Sequence, residues 1–563
     1  MKMERKKLLI SLICYSLLFI TLRVLTSPTF TLDESEQYYL SQFDFAWGYP
    51  RQAPLYTWLI KLWGKFFPVN LVSLTVFKFI LISAFYWFFY DTYNYYQKNF
   101  SKFILQRSSD LKNETALSSG YVLNPFEVTL ALSTVPLYSV VFITDLTHTV
   151  LACLCAVALL NLVLRLIVKP TWLNYVWLGV IISAGLLAKY NFVLFMLSIL
   201  LAAIMCAPAR RALLNPKILL SVVCAIVICA PHLLWLYQDH FSALTYVAET
   251  SEISSNTTML TYFKLIFLKY LNQLYIFLAL LAYILVKNKS AVSSNFSEVS
   301  KSALCGLSSD NKEDLKLSIE FVESFLSRII TYFKNNFISL IALINLILPI
   351  ILLACMGASK FQARWGALVY FTVILAVCCE LKVSPLVLAG FSRLKKHKKS
   401  SVYFVCILML IIAMSFRILP VRLKVKHISA PFKEIATRLK QTNTFINPDK
   451  KIYSLHRHTA ANLTYYGLPV LVYNSIDKAY TKDQRKLNSL VSTKQANFYQ
   501  QESFYLVWNV KRFGFKPDAA IKLARTCTNY KPKLGFKKQQ RILKQRYYYS
   551  EKIFKLAILE CRR

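Results

Sequence analysis

The segment Thr31-Leu32-Asp33-Glu34-Ser35-Glu36 places three carboxylates within four positions, in a chain with only 28 Asp and Glu against 67 Lys and Arg. Carboxylates at the edge of a membrane can take the proton of an attacking hydroxyl or orient it. On the residues alone a second reading stands beside this one: Asp33 bonds the free N–H groups of a helix start and Glu36 completes a capping box. Asp145, in a short turn, reads equally as a further acid or as a helix cap. Single cations lie at the ends of apolar runs, among them Lys189, Lys360 and Arg364, and Arg51 follows in the same loop as Asp33. Such cations either snorkel to the interface or face an anionic group. His232 falls inside an apolar run, where a polar ring bonds a neighbouring helix or touches substrate. His148 reads as a packed or hydrogen-bonded helix residue, and no metal-type Cys/His spacing occurs.

These residues need a scaffold, and composition says which. Of 563 residues 56% are hydrophobic and 17% charged, more apolar surface than a water-soluble protein of this length can bury. A span takes roughly 20 apolar residues. Such runs occur at 8–25, 69–90, 121–142, 147–167, 172–188, 191–207, 217–237, 262–286, 337–356, 363–382 and 401–419, which predicts about eleven helices. The net charge of +39 then records membrane topology and anionic lipid rather than nucleic acid. Lys2, Arg5, Lys6 and Lys7 put the N-terminus in the cytoplasm, and alternate threading leaves most basic loops inside. Residues 26–68, Asp145, Lys189 and the 357–362 turn come out on the other face.

The expected organisation is therefore an all-α polytopic membrane domain over 1–419, with a first external loop at 26–68 and a cytoplasmic loop at 287–335. That cytoplasmic loop carries an amphipathic segment near Leu315–Ile330. A small extracytoplasmic α/β domain follows over 420–563, with a helix at Phe432–Leu439 and alternating runs at Lys451–Leu455 and Leu468–Tyr473. Most of the 13 Cys lie in apolar runs as small hydrophobes; Cys527 and Cys561 fall in the tail, where a disulfide between them is an open option.

Several stretches carry a resemblance in order along the chain. Asp33-Glu34, Trp47-Gly48-Tyr49 and Pro54-Leu55-x-x-Trp58-Leu59 resemble the first loop of the GT-C glycosyltransferases, in the branch with protein O-mannosyltransferases and lipid A aminoarabinose transferases. Thr144-Asp145-Leu146 is similar to that family's second acidic turn. Gly185-Leu-Leu-Ala-Lys189-Tyr190 and Pro231-His232-Leu-Leu-Trp235 are similar to two further elements, and Lys360-Phe361-x-x-Arg364-Trp365 to its late external turn. The likeness covers roughly residues 1–380 and departs at Gln52-Ala53, where the family often has a basic residue and a second Pro. The tail resembles the family's soluble domains only through Ala460-x-x-Leu463-x-Tyr465-Tyr466.

The resemblance implies a polyprenyl-phosphate sugar as donor, because no nucleotide sugar is available outside the cytoplasm. Transfer with inversion takes the phosphate from about one negative charge to two, so fixed cations stabilise the transition state more than the ground state. Asp33 is the expected base, with Glu34 or Asp145 as a second base or as the group that orients the acceptor. Lys189, Arg364, Lys360 and Arg51 are expected on the phosphate, and Tyr190, His232 and Tyr56 on the substrate. No cofactor is required and a divalent cation is optional. The expected location is the bacterial inner membrane with the tail in the periplasm. The acceptor is lipid A or core lipopolysaccharide, with a protein hydroxyl second. A transporter of lipid-linked sugars is the rival class; it places ionisable groups near the midplane with repeat symmetry. Here the acids cluster just past the first span and no repeat is visible.

Overall fold

The computed structural model describes residues 2–49, 52–108, 124–144, 147–241, 264, 267–278, 336–355, 363–380, 407–408, 410–415, 418, 432–441, 452–454, 456–472, 504–509 and 556–561. Helices dominate them. The first, α1 (Lys2–Thr26), leads through an extended stretch into the short α2 (Leu32–Ser41) and α3 (Leu55–Trp63). The long α4 (Leu71–Ser108) follows, then α5 (Pro125–Ala131), α6 (Phe142–Thr144), α7 (Thr147–Val168) and α8 (Trp172–Ala188). Next come α9 (Phe192–Met205), α10 (Ala207–Leu213), α11 (Ile218–Gln238), α12 (Phe337–Cys355) and α13 (Ala367–Glu380). A helix that is apolar all round belongs in a core. α7 obeys: 83% of its most apolar window is buried, against 17% for α1 and for α11 at the periphery. α4 packs on α1 and α7, α8 on α7 and α11, and α12 on α9 and α13.

Among the described residues four helices are long and apolar enough to cross a bilayer, or six if two bent pairs are each one span, and three shorter apolar helices accompany them. The chain is a multi-pass membrane protein. The bent pairs correct the expectation of straight spans at 121–142 and 191–207. Residues 125–144 bend by 82° between Thr134 and Leu137, where Pro136 withholds a backbone donor and the chain passes from a 3-10 turn into a π turn. Residues 192–213 bend by 116°, with Cys206 extended before Ala207-Pro208. The expected spans at 262–286 and 401–419 are described only in part. The loop at 287–335 lies outside the described residues, and so does Cys527 with the disulfide option it carried.

Among its described residues the tail holds two helices, α14 (Phe432–Gln441) and α15 (Arg457–Tyr465), and four strands, β1 (Ile452–Ser454), β2 (Val470–Val472), β3 (Phe504–Asn509) and β4 (Leu556–Cys561). The sheet order is β2-β1-β3-β4. β1 runs parallel to β2 and β3, and β4 antiparallel to β3. Parallel β1 and β2 need a crossover, and α15 supplies it. Phe432, Ile435, Ile452, Ala460 and Leu463 are continuous with the apolar core of the helical part.

The two ends of the bundle differ. At the Arg5 end, Asp91 of α4 accepts from Arg5 of α1 (3.2 Å) and Arg165 of α7 (2.6 Å), which pins three helices together. At the other end α2 and α3 lie against the start of α7. Those candidate residues that are described gather at that second end.

Candidate active site

Thr31 starts α2. Its hydroxyl accepts from Glu34 N–H while the Glu34 carboxylate accepts from Thr31 N–H, a complete capping box. This corrects the Asp33/Glu36 version: the box lies two residues earlier and leaves Asp33 free of it. Asp33 instead reaches across to the first turn of α7, where its Oδ2 accepts from Thr147 N–H at 3.2 Å. That amide is one of the unpaired donors of a helix N-terminus, so the carboxylate sits at the positive end of α7.

Glu34 has a different task from the one expected. It is 3% exposed and paired with Arg23 of α1, which is 2% exposed, at 2.6 Å. Burial pushes its carboxyl up, but Arg23 and Lys78 outweigh burial and hold it down at about 2. The same Arg23 donates to Ser27 O (2.6 Å) and Thr29 O (2.7 Å) and so stiffens the lead into α2. Arg23 and Lys78 were missed as site residues. The signal was in the sequence, since each is a charge inside an apolar run.

Lys189 caps the C-terminus of α8 with extended backbone (φ −164°, ψ 129°). Its Nζ donates to Thr149 Oγ1 at 2.8 Å, two residues beyond the amide that Asp33 holds. Burial first, then the charge of Arg364, pulls the Lys189 ammonium down to about 8, while Asp33 pulls the other way. Arg364 is exposed, in the 3-10 turn Ala363–Gly366 that leads into α13. A carboxylate, Asp33, and a second cation, Arg364, therefore both act on Lys189 beside the N-terminus of α7. Asp145, Lys360 and Arg51 lie outside the described residues.

The residues expected on the substrate, Tyr56, Tyr190 and His232, are hydrogen-bonded or packed among the elements around this centre. Tyr56 of α3 is 1% exposed and packs on His148 (centroids 5.2 Å) and Phe77 (5.8 Å). Burial, Glu34 and Asp33 all push its phenol up, so the hydroxyl keeps its proton. Thr57 donates to Gln37 Oε1 at 2.8 Å, and the Gln37 amide lies 3.0 Å from His148 Nε2, which ties α2, α3 and α7 together. His148 is thus hydrogen-bonded, as its sequence context suggested. His232 of α11 donates from Nδ1 to Trp47 O (2.9 Å), which leaves Nε2 to accept from the Tyr190 hydroxyl (3.2 Å). Trp235 covers Gly48, where a Cβ would come within 2.0 Å of the indole. The Pro231-His232-Leu-Leu-Trp235 stretch thereby fastens the second half of the first loop. Among the described residues no group of three or more His, Cys, Asp or Glu side chains could hold a metal ion.

The comparisons with known proteins follow the same lines. Residues 127–235 match the family model described as dolichyl-phosphate-mannose-protein mannosyltransferase. The chain is 30% identical over 250 residues to the lipopolysaccharide core galacturonosyltransferase RgtB of Rhizobium johnstonii, covering 44% of this chain and 46% of that protein. It is 31% identical over 225 residues to RgtA of the same organism, covering 40% of each chain. The matches thus span less than half the length of these curated relatives. The crystal structure of ArnT from Cupriavidus metallidurans in the apo state superposes with a TM-score of 0.55 at 12% identity, over 99% of this chain and 98% of that one. The same ArnT bound to undecaprenyl phosphate gives 0.54 at 11% identity, over 98% and 97%. The superposed backbone shows that the chain has the fold of ArnT, and over less than half of its length it is similar in sequence to lipopolysaccharide core galacturonosyltransferases.

Proposed function

We propose that the chain is a glycosyltransferase that moves one sugar from a polyprenyl-phosphate carrier to lipid A or core lipopolysaccharide, on the outer face of a bacterial inner membrane. One observation carries the reading: Asp33 and Lys189 converge on the first turn of α7, one through Thr147 N–H and the other through Thr149 Oγ1. A base and a buried cation that close together suit a displacement in which a hydroxyl attacks and a phosphate leaves.

In this mechanism Asp33 takes the proton of the acceptor hydroxyl as its oxygen bonds to the anomeric carbon. The carbon–oxygen bond to phosphate breaks, its electron pair stays on the phosphate, and the anomeric centre inverts. Lys189 and Arg364, with the partial positive charge at the start of α7, receive the growing negative charge. Lys360, Arg51 and Asp145 are assigned to the same centre by their place in the sequence. Glu34 acts through Arg23, as a strut rather than as a second base. Tyr56, Tyr190 and His232 brace this centre. No cofactor is required, a divalent cation remains optional, and the tail is read as an α/β domain on the outer face.

The lipopolysaccharide-core relatives support a glycolipid acceptor, and a uronic acid is the first donor sugar to try. The mannosyltransferase family model favours a protein hydroxyl as second reading. The test uses purified full-length chain with a polyprenyl-phosphate sugar and an acceptor extract. Asp33→Asn is expected to lower transfer by roughly 100- to 10,000-fold, the range typical of a lost general base. Equal transfer before and after the substitution removes Asp33 from the chemistry. Mass spectrometry of envelope glycolipids and glycoproteins from a strain lacking the chain then identifies the acceptor by its missing sugar mass.

A further inference from the structure

The segment 27–30 between α1 and α2 has its carbonyls held alternately from two sides. Ser27 O and Thr29 O accept from Arg23 at 2.6 and 2.7 Å. Pro28 O accepts from the Tyr466 hydroxyl, and Phe30 O from His458 Nε2 at 2.9 Å. The carbonyls of Ser27 and Thr29 thus meet the membrane helix, and those of Pro28 and Phe30 meet the tail. Phe30 N–H donates to Asn462 Oδ1 at 2.8 Å, and Asn462 is fully buried. The Phe30 ring packs between Tyr38 (4.8 Å) and Tyr465 (4.7 Å). Arg457 pairs with Glu36, which is 6% exposed and lies one turn after Asp33 on α2.

We propose that α15 of the tail is a positioning element for Asp33, gripping segment 27–30 and α2 through Arg457, His458, Asn462 and Tyr466. The inference rests on the reading of Asp33 as the base. It gives the tail a part in the chemical step itself, beyond any role in meeting an acceptor. Asp33 is fixed along α2 only as well as α2 is fixed, and Arg23 supplies a grip on one side alone. Without α15 the carbonyls of Pro28 and Phe30 and the carboxylate of Glu36 lose their partners, and α2 gains freedom to rock on α7.

The test uses the full chain in detergent, with Arg457→Ala, Arg457→Lys and Asn462→Ala. Two readouts are taken: amide hydrogen exchange of residues 27–41, and kcat and KM for donor and acceptor. Arg457 is partly solvent-exposed, so its substitution spares the core, and unchanged exchange in α4 and α7 certifies the fold. The expected result for Arg457→Ala and Asn462→Ala is faster exchange at 27–41 and a kcat lowered roughly 10- to 100-fold at unchanged KM. Arg457→Lys, which keeps the charge, stays within a few-fold of the parent. Exchange that does not change overturns the proposal. So does faster exchange with an unaltered kcat, or an effect confined to acceptor KM. Full activity of Asp33→Asn would refute the catalytic reading while leaving the exchange result, and hence the grip itself, intact.

Discussion

Lys189 carries the clearest pH signature of any single residue in the site. Its ammonium is pulled from the ordinary 10.5 to about 8, by burial and by Arg364. The charged form is the one that favours a departing phosphate, and it is lost as pH rises through about 8. Donor kcat/KM is therefore expected to fall above pH 8, about tenfold per unit once well past it. Lys189→Arg, charged throughout this range, should abolish that alkaline limb; a limb that persists belongs to another group. Glu34 has the opposite sense. Its carboxyl is held at about 2 rather than 4.5, so the stability it contributes is complete above about 4.5 and is lost as pH falls towards 2. Glu34→Gln leaves the Arg23 guanidinium buried beside a neutral amide and should cost about 3–5 kcal/mol, read as a lower midpoint of thermal unfolding in detergent. Asp33 could be picked out before any coordinates because acids are scarce in this chain. Its partner could not, since the Thr147 amide is 114 positions away and backbone N–H groups leave no mark on a sequence.

At the scale of elements, close approach of helices sets the geometry. Gly179 of α8 faces α11, and a Cβ there would lie 2.4 Å from Ser221 O and 2.8 Å from Cys224 Cβ. Backbone cannot yield as a side chain can, and small residues at such crossings let membrane helices touch. Gly179→Ala is expected to push α11 away from α8 at a cost of about 1–3 kcal/mol. Because α11 carries His232 and Trp235, the shift should also loosen the first loop. The check is unfolding midpoint together with transfer rate; a variant with both unchanged would show that the crossing has slack. The long apolar helices were readable from hydropathy, because a bilayer sets their length. The bends at Pro136 and at Ala207-Pro208 were not expected, although proline stands at both, because hydropathy reports the length of an apolar run and not its direction. The shift of the capping box from Asp33/Glu36 to Thr31/Glu34 shows the same limit: both patterns satisfy the spacing, and only the buried Arg23 decides between them.

At the scale of the whole molecule, the polar networks divide into two groups at opposite ends. Arg5, Asp91 and Arg165 close one end, while Arg23, Glu34, Asp33 and Lys189 organise the other, with the tail docked on it. That docking was the least legible feature in the sequence. His458 meets Phe30 across 428 positions, through a backbone carbonyl that any residue would offer. The basic N-terminus, by contrast, leads from the sequence alone to an expected orientation, which labelling tests. If the Arg5 end faces the cytoplasm, single cysteines at Asp44 and Lys433, both exposed or near the docked tail, should react with a membrane-impermeant maleimide added to spheroplasts. A cysteine at Lys98 should react only after the membrane is permeabilised. These positions lie away from the Asp33 centre, so the parent transfer activity certifies each variant, with the native cysteines replaced first. The reverse labelling pattern would put Asp33 on the side where nucleotide sugars are plentiful, and the need for a lipid-carried donor would disappear with it.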